Sequence, residues 1–372
     1  MGLARPFSGA SAPTAEPERD FGVLKPSCGE GWVVPRGHGL IEHACISVQR
    51  QQMATIVRPS PRNLKKFLCI WALEGPRAQQ VILSRQILHH EGAEDVLVQG
   101  IGYNGVFDSW MVFQAPAVCH LFHAFDLHAT AERPILLHSR ELVCWQMCTS
   151  RNELVMGSYD SYLSIFELSK EKVKRKKDEF SLTAIEMSEC SMRKRVSWSV
   201  GSDSVWPAAL CLDENFHLKG YRIFVSVQKD LVGYDYETGA ELFRSHCHAK
   251  ITSLDMRRDM PCIVAGNRMS QVVTYSARQG ALGKRIDIFQ GHSAAVSSVL
   301  IDHVSKVCYS LDAASNLCCW NLDHHVLLQH KNVSPSPAED DEGRRKNDWL
   351  KTEVHSAKCQ LQFSLDVDEW GD

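Results

Sequence analysis

Between residues 31 and 330 the chain consists of short runs in which apolar and polar residues alternate, each bounded by Gly, Pro, Asn, Asp or Ser. The period is two rather than 3.6, which predicts strands with one buried face and not amphipathic helices. The runs come in groups. ACISV (44–48), ATIV (54–57), FLCIWAL (67–73) and QVILSRQ (80–86) form the first. DVLVQGIG, SWMVFQA, VCHLFHAFDL and PILLH follow between 95 and 138, then VCWQMCT and ELVMGSYDSYLSIFEL up to 168. Later groups are AALCLD, YRIFVSV and LVGYDYETG (208–239), then KITSLDM, CIVAGN and QVVTYSA (250–277). A lone small sheet cannot cover its own faces, so repeated groups of this kind predict antiparallel sheets stacked against one another.

The most regular group is Gly291 to Leu322, GHSAAVSSVLIDHVSKVCYSLDAASNLCCWNL, with HHVLLQH (324–330) behind it. The distance from its Gly-His to its Trp-Asn resembles that of a WD repeat, the unit of one class of β-propeller blade. In that family a His, a Ser or Thr on the second strand, a Trp on the third and an Asp in the turn between those strands share a hydrogen-bond network. His292, Ser310 and Trp320 are in register with the first three; the turn position holds Ala314, and the nearby carboxylate is Asp312. In the third group Asp160 fills the turn and Phe166 stands in for the Trp. The resemblance implies six traceable blades centred on Trp71, Phe125, Phe166, Tyr234, Tyr275 and Trp320.

The fold class expected is therefore all-β: a propeller of four-stranded antiparallel sheets over residues 31–330, with seven blades of which six are traceable. WLKTEV (349–354), CQLQFSL (359–365) and GWVV (31–34) are the expected strands of the seventh, so residues 349–372 would close the ring. Residues 1–30 read as a disordered tail and 331–348, rich in Pro and charge, as a flexible linker.

Composition narrows the function. Lys and Arg number 41 against 44 Asp and Glu, a balance that argues against general binding to nucleic acid or acidic membranes. No apolar run reaches the ~18 residues of a spanning helix, and the first 20 residues lack the hydrophobic region of a secretory signal. The 14 cysteines fall largely in apolar runs, as small core residues do in a reducing compartment. A cytoplasmic location is expected. The basic clusters KEKVKRKK (170–177) and RKR (193–195) read as part of a solvated polar insertion, with nuclear import as the alternative use.

Candidate chemistry is sparse. GIGYNG (100–105) matches the dinucleotide fingerprint, but the strand-like VFDSWMVF follows where a helix N-terminus is required, and Tyr103-Asn104-Gly105 suits a hairpin turn. Cys119, His120, His123 and His128 cluster without the paired spacing of a zinc site, and His120 and His123 would face opposite sides of a strand. GALGKR (280–285) is too short for a phosphate-binding loop. Asp348 to Lys351, Cys359 and Phe363 to Leu365 resemble the entry to the FYVE fingers that follow some WD-repeat propellers, but the paired cysteines of that finger are missing.

No cofactor, metal or catalytic residue is expected. The resemblance implies a non-catalytic scaffold that binds other proteins as a subunit of a larger complex, without specific nucleic-acid binding or membrane insertion. Arg268 and Met269, in a turn, and Trp206, before a first strand, are the candidate partner contacts. Tyr275-Ser276-Ala277-Arg278 has one residue, Arg278, of the Trp-Asp-x-Arg motif carried by some WD-repeat substrate receptors of cullin-based ubiquitin ligases, which is the alternative role.

Overall fold

The structure, a computed structural model, describes residues 40–47, 49–59, 65–74, 80–87, 97–115, 118–127, 135–137, 141–173, 187–201, 205–214, 220–257, 259–303, 305–333 and 362–364. Among the described residues, six four-stranded antiparallel meanders follow one another along the chain and are arranged as a β-propeller. Sheet one is β1 (Leu40–Ser47), β2 (Gln52–Arg58), β3 (Lys66–Ala72) and β4 (Val81–Ile87). Sheet two is β5 (Val98–Asn104), β6 (Ser109–Gln114), β7 (Val118–His123) and β8 (Ile135–Leu136). Sheet three is β9 (Leu142–Cys148), β10 (Glu153–Ser158), β11 (Tyr162–Val173) and β12 (Met187–Ser199). Sheet four is β13 (Pro207–Asp213), β14 (Arg222–Val227), β15 (Asp230–Asp235) and β16 (Glu241–His246). Sheet five is β17 (Ile251–Arg257), β18 (Cys262–Asn267), β19 (Gln271–Ser276) and β20 (Arg285–Gln290). Sheet six is β21 (Val296–Asp302), β22 (Val307–Asp312), β23 (Asn316–Asn321) and β24 (Val326–Asn332).

The first strand of each sheet lies against the first strand of the next, β1 on β5, β5 on β9, and so on to β21. Fourth strands lie outermost, and β24 is exposed along its whole length. The second strands of sheets two, three and five are buried at every position, because a neighbouring sheet covers each face. In sheet six, β22 and β23 instead alternate buried and half-buried residues. One face packs on sheet five through Val299, Ile301, Cys308 and Trp320. The other, carrying Tyr309, Leu317 and Cys319, stays partly exposed.

Repetition is visible in the register. One residue of each third strand is opposed to the second strand in the same way: Met53 to Trp71, Trp110 to Phe122, Leu154 to Phe166, Ile223 to Tyr234, Ile263 to Tyr275 and Cys308 to Trp320. In five of these sheets the pairing to the fourth strand shifts at that same aromatic residue. A bulge adds local twist, and the outer edge of a fanned blade needs it. Five of the six expected centres occupy this place. The exception is Phe125, which lies 73% exposed in the turn after β7, whereas Phe122 fills the buried position. The triplet Phe-Asp-Leu imitates the expected pattern three residues too late.

Residues 168–173 and 187–195 also differ from the expected polar loop. β11 and β12 stay paired from Tyr162–Ser199 out to Val173–Met187, which carries this hairpin past the length of its sheet. Arg195 is not a solvated cation: it reaches Glu153 at 2.8 Å and Glu237 at 2.7 Å, while Lys194 lies over the ring of Phe166. Of the expected closing segment, only β25 (Gln362–Ser364) is described, paired in parallel with β1; residues 31–34 and 349–361 lie outside the described residues. So do residues 1–30, the 334–348 part of the linker, 174–177 and His128. Among the described residues, no helix is long and apolar enough to cross a membrane.

Candidate partner-binding site

Two constellations stand out, one holding a sheet together and one presented to solvent. In the first, Trp320 Nε1–H donates to Ser310 Oγ at 2.6 Å, and Ser310 Oγ lies 2.6 Å from His292 Nε2. His292 Nδ1 in turn lies 3.2 Å from Asp312 Oδ2. The inventory of donors assigns one direction: indole N–H to hydroxyl, hydroxyl to Nε2, and Nδ1–H to carboxylate. Burial pushes the His292 pKa below its ordinary value despite the opposing charge of Asp312, so the ring is neutral and the chain of donors is complete.

The carboxylate of this chain is Asp312, at the end of β22, and not a residue of the Ala314 position. Asp312 Oδ1 accepts from the backbone N–H groups of Ala314 (2.9 Å) and Asn316 (2.8 Å). Burial works against its charge, but the hydrogen bonds from Asn316 and His292 outweigh that, and its pKa is lowered. In sheet three the corresponding strand end is Ser158, whose hydroxyl donates to Asp160 in the turn. Sheet five has Ala265 opposite Val273 and Cys247 before its first strand, with Asn267 in the place of Asp312. There Tyr275 Oη donates to Cys247 Sγ at 3.1 Å, and Asn267 Oδ1 accepts from the backbone of Met269 and Gln271.

The second constellation lies on the face where the first strands begin and the second strands end. Antiparallel meanders put the second-to-third-strand turns and the loops between sheets on this one face. Trp206 stands just before β13 and packs on Tyr159, in the β10–β11 turn, with ring centroids 5.3 Å apart. It is held there from below. Cys144 Sγ–H donates to the carbonyl of Pro207, and the Pro207 ring lies where a Cβ on residue 157 would be, 2.4 Å from its Cγ; glycine is required at that position.

Lys250 Nζ lies 5.9 Å above the ring of Trp206, and the Lys250 carbonyl accepts from Arg268 N–H at 3.0 Å. Arg268 and Met269 form the β18–β19 turn, fixed by the Asn267 side chain, and Met269 is 60% exposed. Three candidate residues from two separate parts of the chain, Trp206 and the pair Arg268 and Met269, thus fall on one strip, Tyr159–Trp206–Lys250–Arg268–Met269, across sheets three, four and five. Tyr159 and Lys250 gave no local signal of their own; only the loop order brings them there. Arg278 is exposed in the β19–β20 connection and therefore on the opposite face. An exposed thioether and arginine beside a half-buried indole provide the apolar and planar cationic contacts that protein interfaces use most.

The glycines of GIGYNG have a packing role. A Cβ on Gly100 or Gly102 would meet the Trp145 indole of sheet three at 2.8 and 2.3 Å. Asn104 Oδ1 accepts from Phe107 N–H in the hairpin turn that follows. His120 and His123 sit three positions apart on β7, and no metal-holding group of His, Cys, Asp or Glu is found among the described residues. Compared with known proteins, the chain matches no family model and no curated protein.

Proposed function

We propose that this chain is a WD-repeat type propeller that acts as a non-catalytic docking subunit, and that the Tyr159–Trp206–Lys250–Arg268–Met269 strip is where a partner protein sits. The His292–Ser310–Trp320–Asp312 chain of hydrogen bonds supports the WD-repeat reading. The strip supports the docking reading, and it is the observation on which the function rests: rigid loop ends carry exposed anchors, and no residue there needs another to perform chemistry. A role as a ubiquitin-ligase receptor would use Arg278, which the strip does not include. The reading implies cytoplasmic work within a larger assembly.

Proximity labelling in cells tests it. The wild-type chain should be compared with the double variant W206A/M269A and with R278A, each checked for unchanged thermal stability. A set of neighbours lost only in the double variant is the expected result. Identical neighbours for wild type and the double variant would remove the strip from consideration, and selective loss in R278A would favour the ligase role.

A further inference from the structure

The strip is not uniform in charge. At its sheet-three end stand the acidic residues Glu141, whose carbonyl accepts from Tyr159 N–H at 3.0 Å, and Asp160, which is bonded to Ser158. Over sheets four and five the sign changes. Lys229 is exposed in the two-residue β14–β15 turn, Lys250 lies over Trp206, and Arg268 is exposed beside Met269. The nearby Asp230 is already engaged by Arg244 at 3.2 Å and His246 at 2.9 Å. Among the described residues, neither Lys229 nor Arg268 has a carboxylate partner.

These cations do not sit on independent loops. Cys247 N–H donates to the carbonyl of Lys229 at 2.7 Å, and Arg268 N–H donates to that of Lys250 at 3.0 Å. The β14–β15 turn, the loop leading into β17 and the β18–β19 turn are thereby tied edge to edge by backbone bonds. The carbonyls of Lys229 and Lys250 are consumed in holding the platform, while the Lys229 side chain is exposed and the Lys250 ammonium lies over the Trp206 ring. Asn267 fixes the turn that carries Arg268 and Met269 through bonds of 2.9 and 3.1 Å to Met269 N–H and Gln271 N–H. A platform with fixed spacing loses little freedom on binding, which favours a partner that is itself extended and must be ordered.

We propose that the sheet-four and sheet-five part of the strip takes an acidic, extended peptide segment of a partner protein, with one apolar side chain of that segment seated against Met269. This rests on the docking reading above and specifies its partner. The carboxylates of the segment meet Lys229 and Arg268, and the reversal of sign at Glu141 and Asp160 keeps the acidic part over sheets four and five. The charges steer and align the segment, and the apolar contact at Met269 holds it. Nucleic acid offers the same negative sign but no matching apolar anchor, and it enters as an outcome of the test.

The test uses the whole chain and a fluorescein-labelled 12-residue peptide of Glu with one central Phe. Three controls accompany it: the same peptide with Gln for every Glu, the same with Ser for Phe, and a single-stranded oligonucleotide of equal charge. Binding is read by anisotropy at low and at physiological salt. The Glu peptide should bind, and about tenfold more weakly when Lys229→Glu and Arg268→Glu are combined, with R278E leaving it unchanged. Salt should weaken it, since the contacts are exposed. Equal binding of the Gln peptide, indifference to K229E/R268E, or tighter binding of the oligonucleotide would each overturn the proposal. If the Glu peptide fails while cellular neighbours still depend on Trp206 and Met269, acidic selectivity falls and docking stands; if both fail, both readings fall.

Discussion

Trp71 Nε1–H donates to Thr55 Oγ1 at 2.7 Å across β2 and β3 in sheet one, the same bond that Trp320 makes to Ser310 in sheet six. The two pairs stand at matching register, yet they differ in consequence. Thr55 also approaches the Cys69 carbonyl, whereas Ser310 serves Trp320 and His292 together.

Ser310→Ala therefore removes the bonds of two buried groups, Trp320 Nε1 and His292 Nε2, and Thr55→Val removes the one from Trp71 Nε1. At ~1–3 kcal/mol for each buried group left unsatisfied, S310A should cost about 3 kcal/mol and T55V about half of that. Urea denaturation of both variants measures the difference. Equal losses would mean that His292 finds another partner in the serine variant.

Acid should act on sheet six through His292 and Asp312. The folded pKa of His292 is lowered, so the unfolded chain binds a proton more readily, and stability falls as pH drops below the ordinary imidazole value of about 6.5 toward the folded one. Asp312 is lowered as well; its contribution is present above the ordinary carboxylate value and is lost as pH falls through its depressed folded value. The melting temperature of His292→Asn, followed from pH 7.5 to 5, should decline less steeply than that of the wild type. Parallel curves would assign the acid response to other groups.

Sheets three and four are joined by a ring of charges. Arg151 and Arg195 both reach Glu153 and Glu237, and both guanidinium groups lie 5.3 Å from the Tyr236 ring centroid. Glu153 is buried, so Glu153→Ala leaves Arg151 and Arg195 with Glu237 alone and should cost about 2 kcal/mol. Glu237 is half exposed, and Glu237→Ala should cost about 0.5 kcal/mol, a difference that high salt reduces. Denaturation at 50 mM and 1 M salt separates the two.

Gly102→Ala should be among the most damaging single changes, because the new methyl would occupy the place of the Trp145 ring. Overpacking of this kind costs roughly 1–3 kcal/mol. The double variant G102A/W145L should recover part of that loss, and a purely additive cycle would show that the two residues do not share the space.

How much of this was legible in the chain depended on how local each signal was. Trp71, Phe166, Tyr234, Tyr275 and Trp320 could be placed because strand alternation and turn residues fix them within a few neighbours. Phe125 could not, since a slip of three residues carries it past the end of β7 into the exposed turn, and only pairing with β6 reveals that Phe122 is inside. Arg195 looked like a solvated charge because its partners Glu153 and Glu237 are distant in sequence. Asp312 was visible as a carboxylate, but its role needed the fold of the β22–β23 turn. In the candidate site, Trp206, Arg268 and Met269 were visible one by one. That they share a strip depends on Lys250, whose side chain faces one of them and whose backbone holds another.

The outer strand β24 has a bearing on how this molecule behaves at high concentration. Val326, Leu327 and Leu328 are all exposed along it, and among the described residues no strand pairs with its outer side. Such a rim invites a strand from a second molecule, and His330 and Lys331 are the residues placed to discourage it. Self-association should therefore begin at the sixth sheet, and a lysine at position 327 or 328 is the change best suited to suppress it.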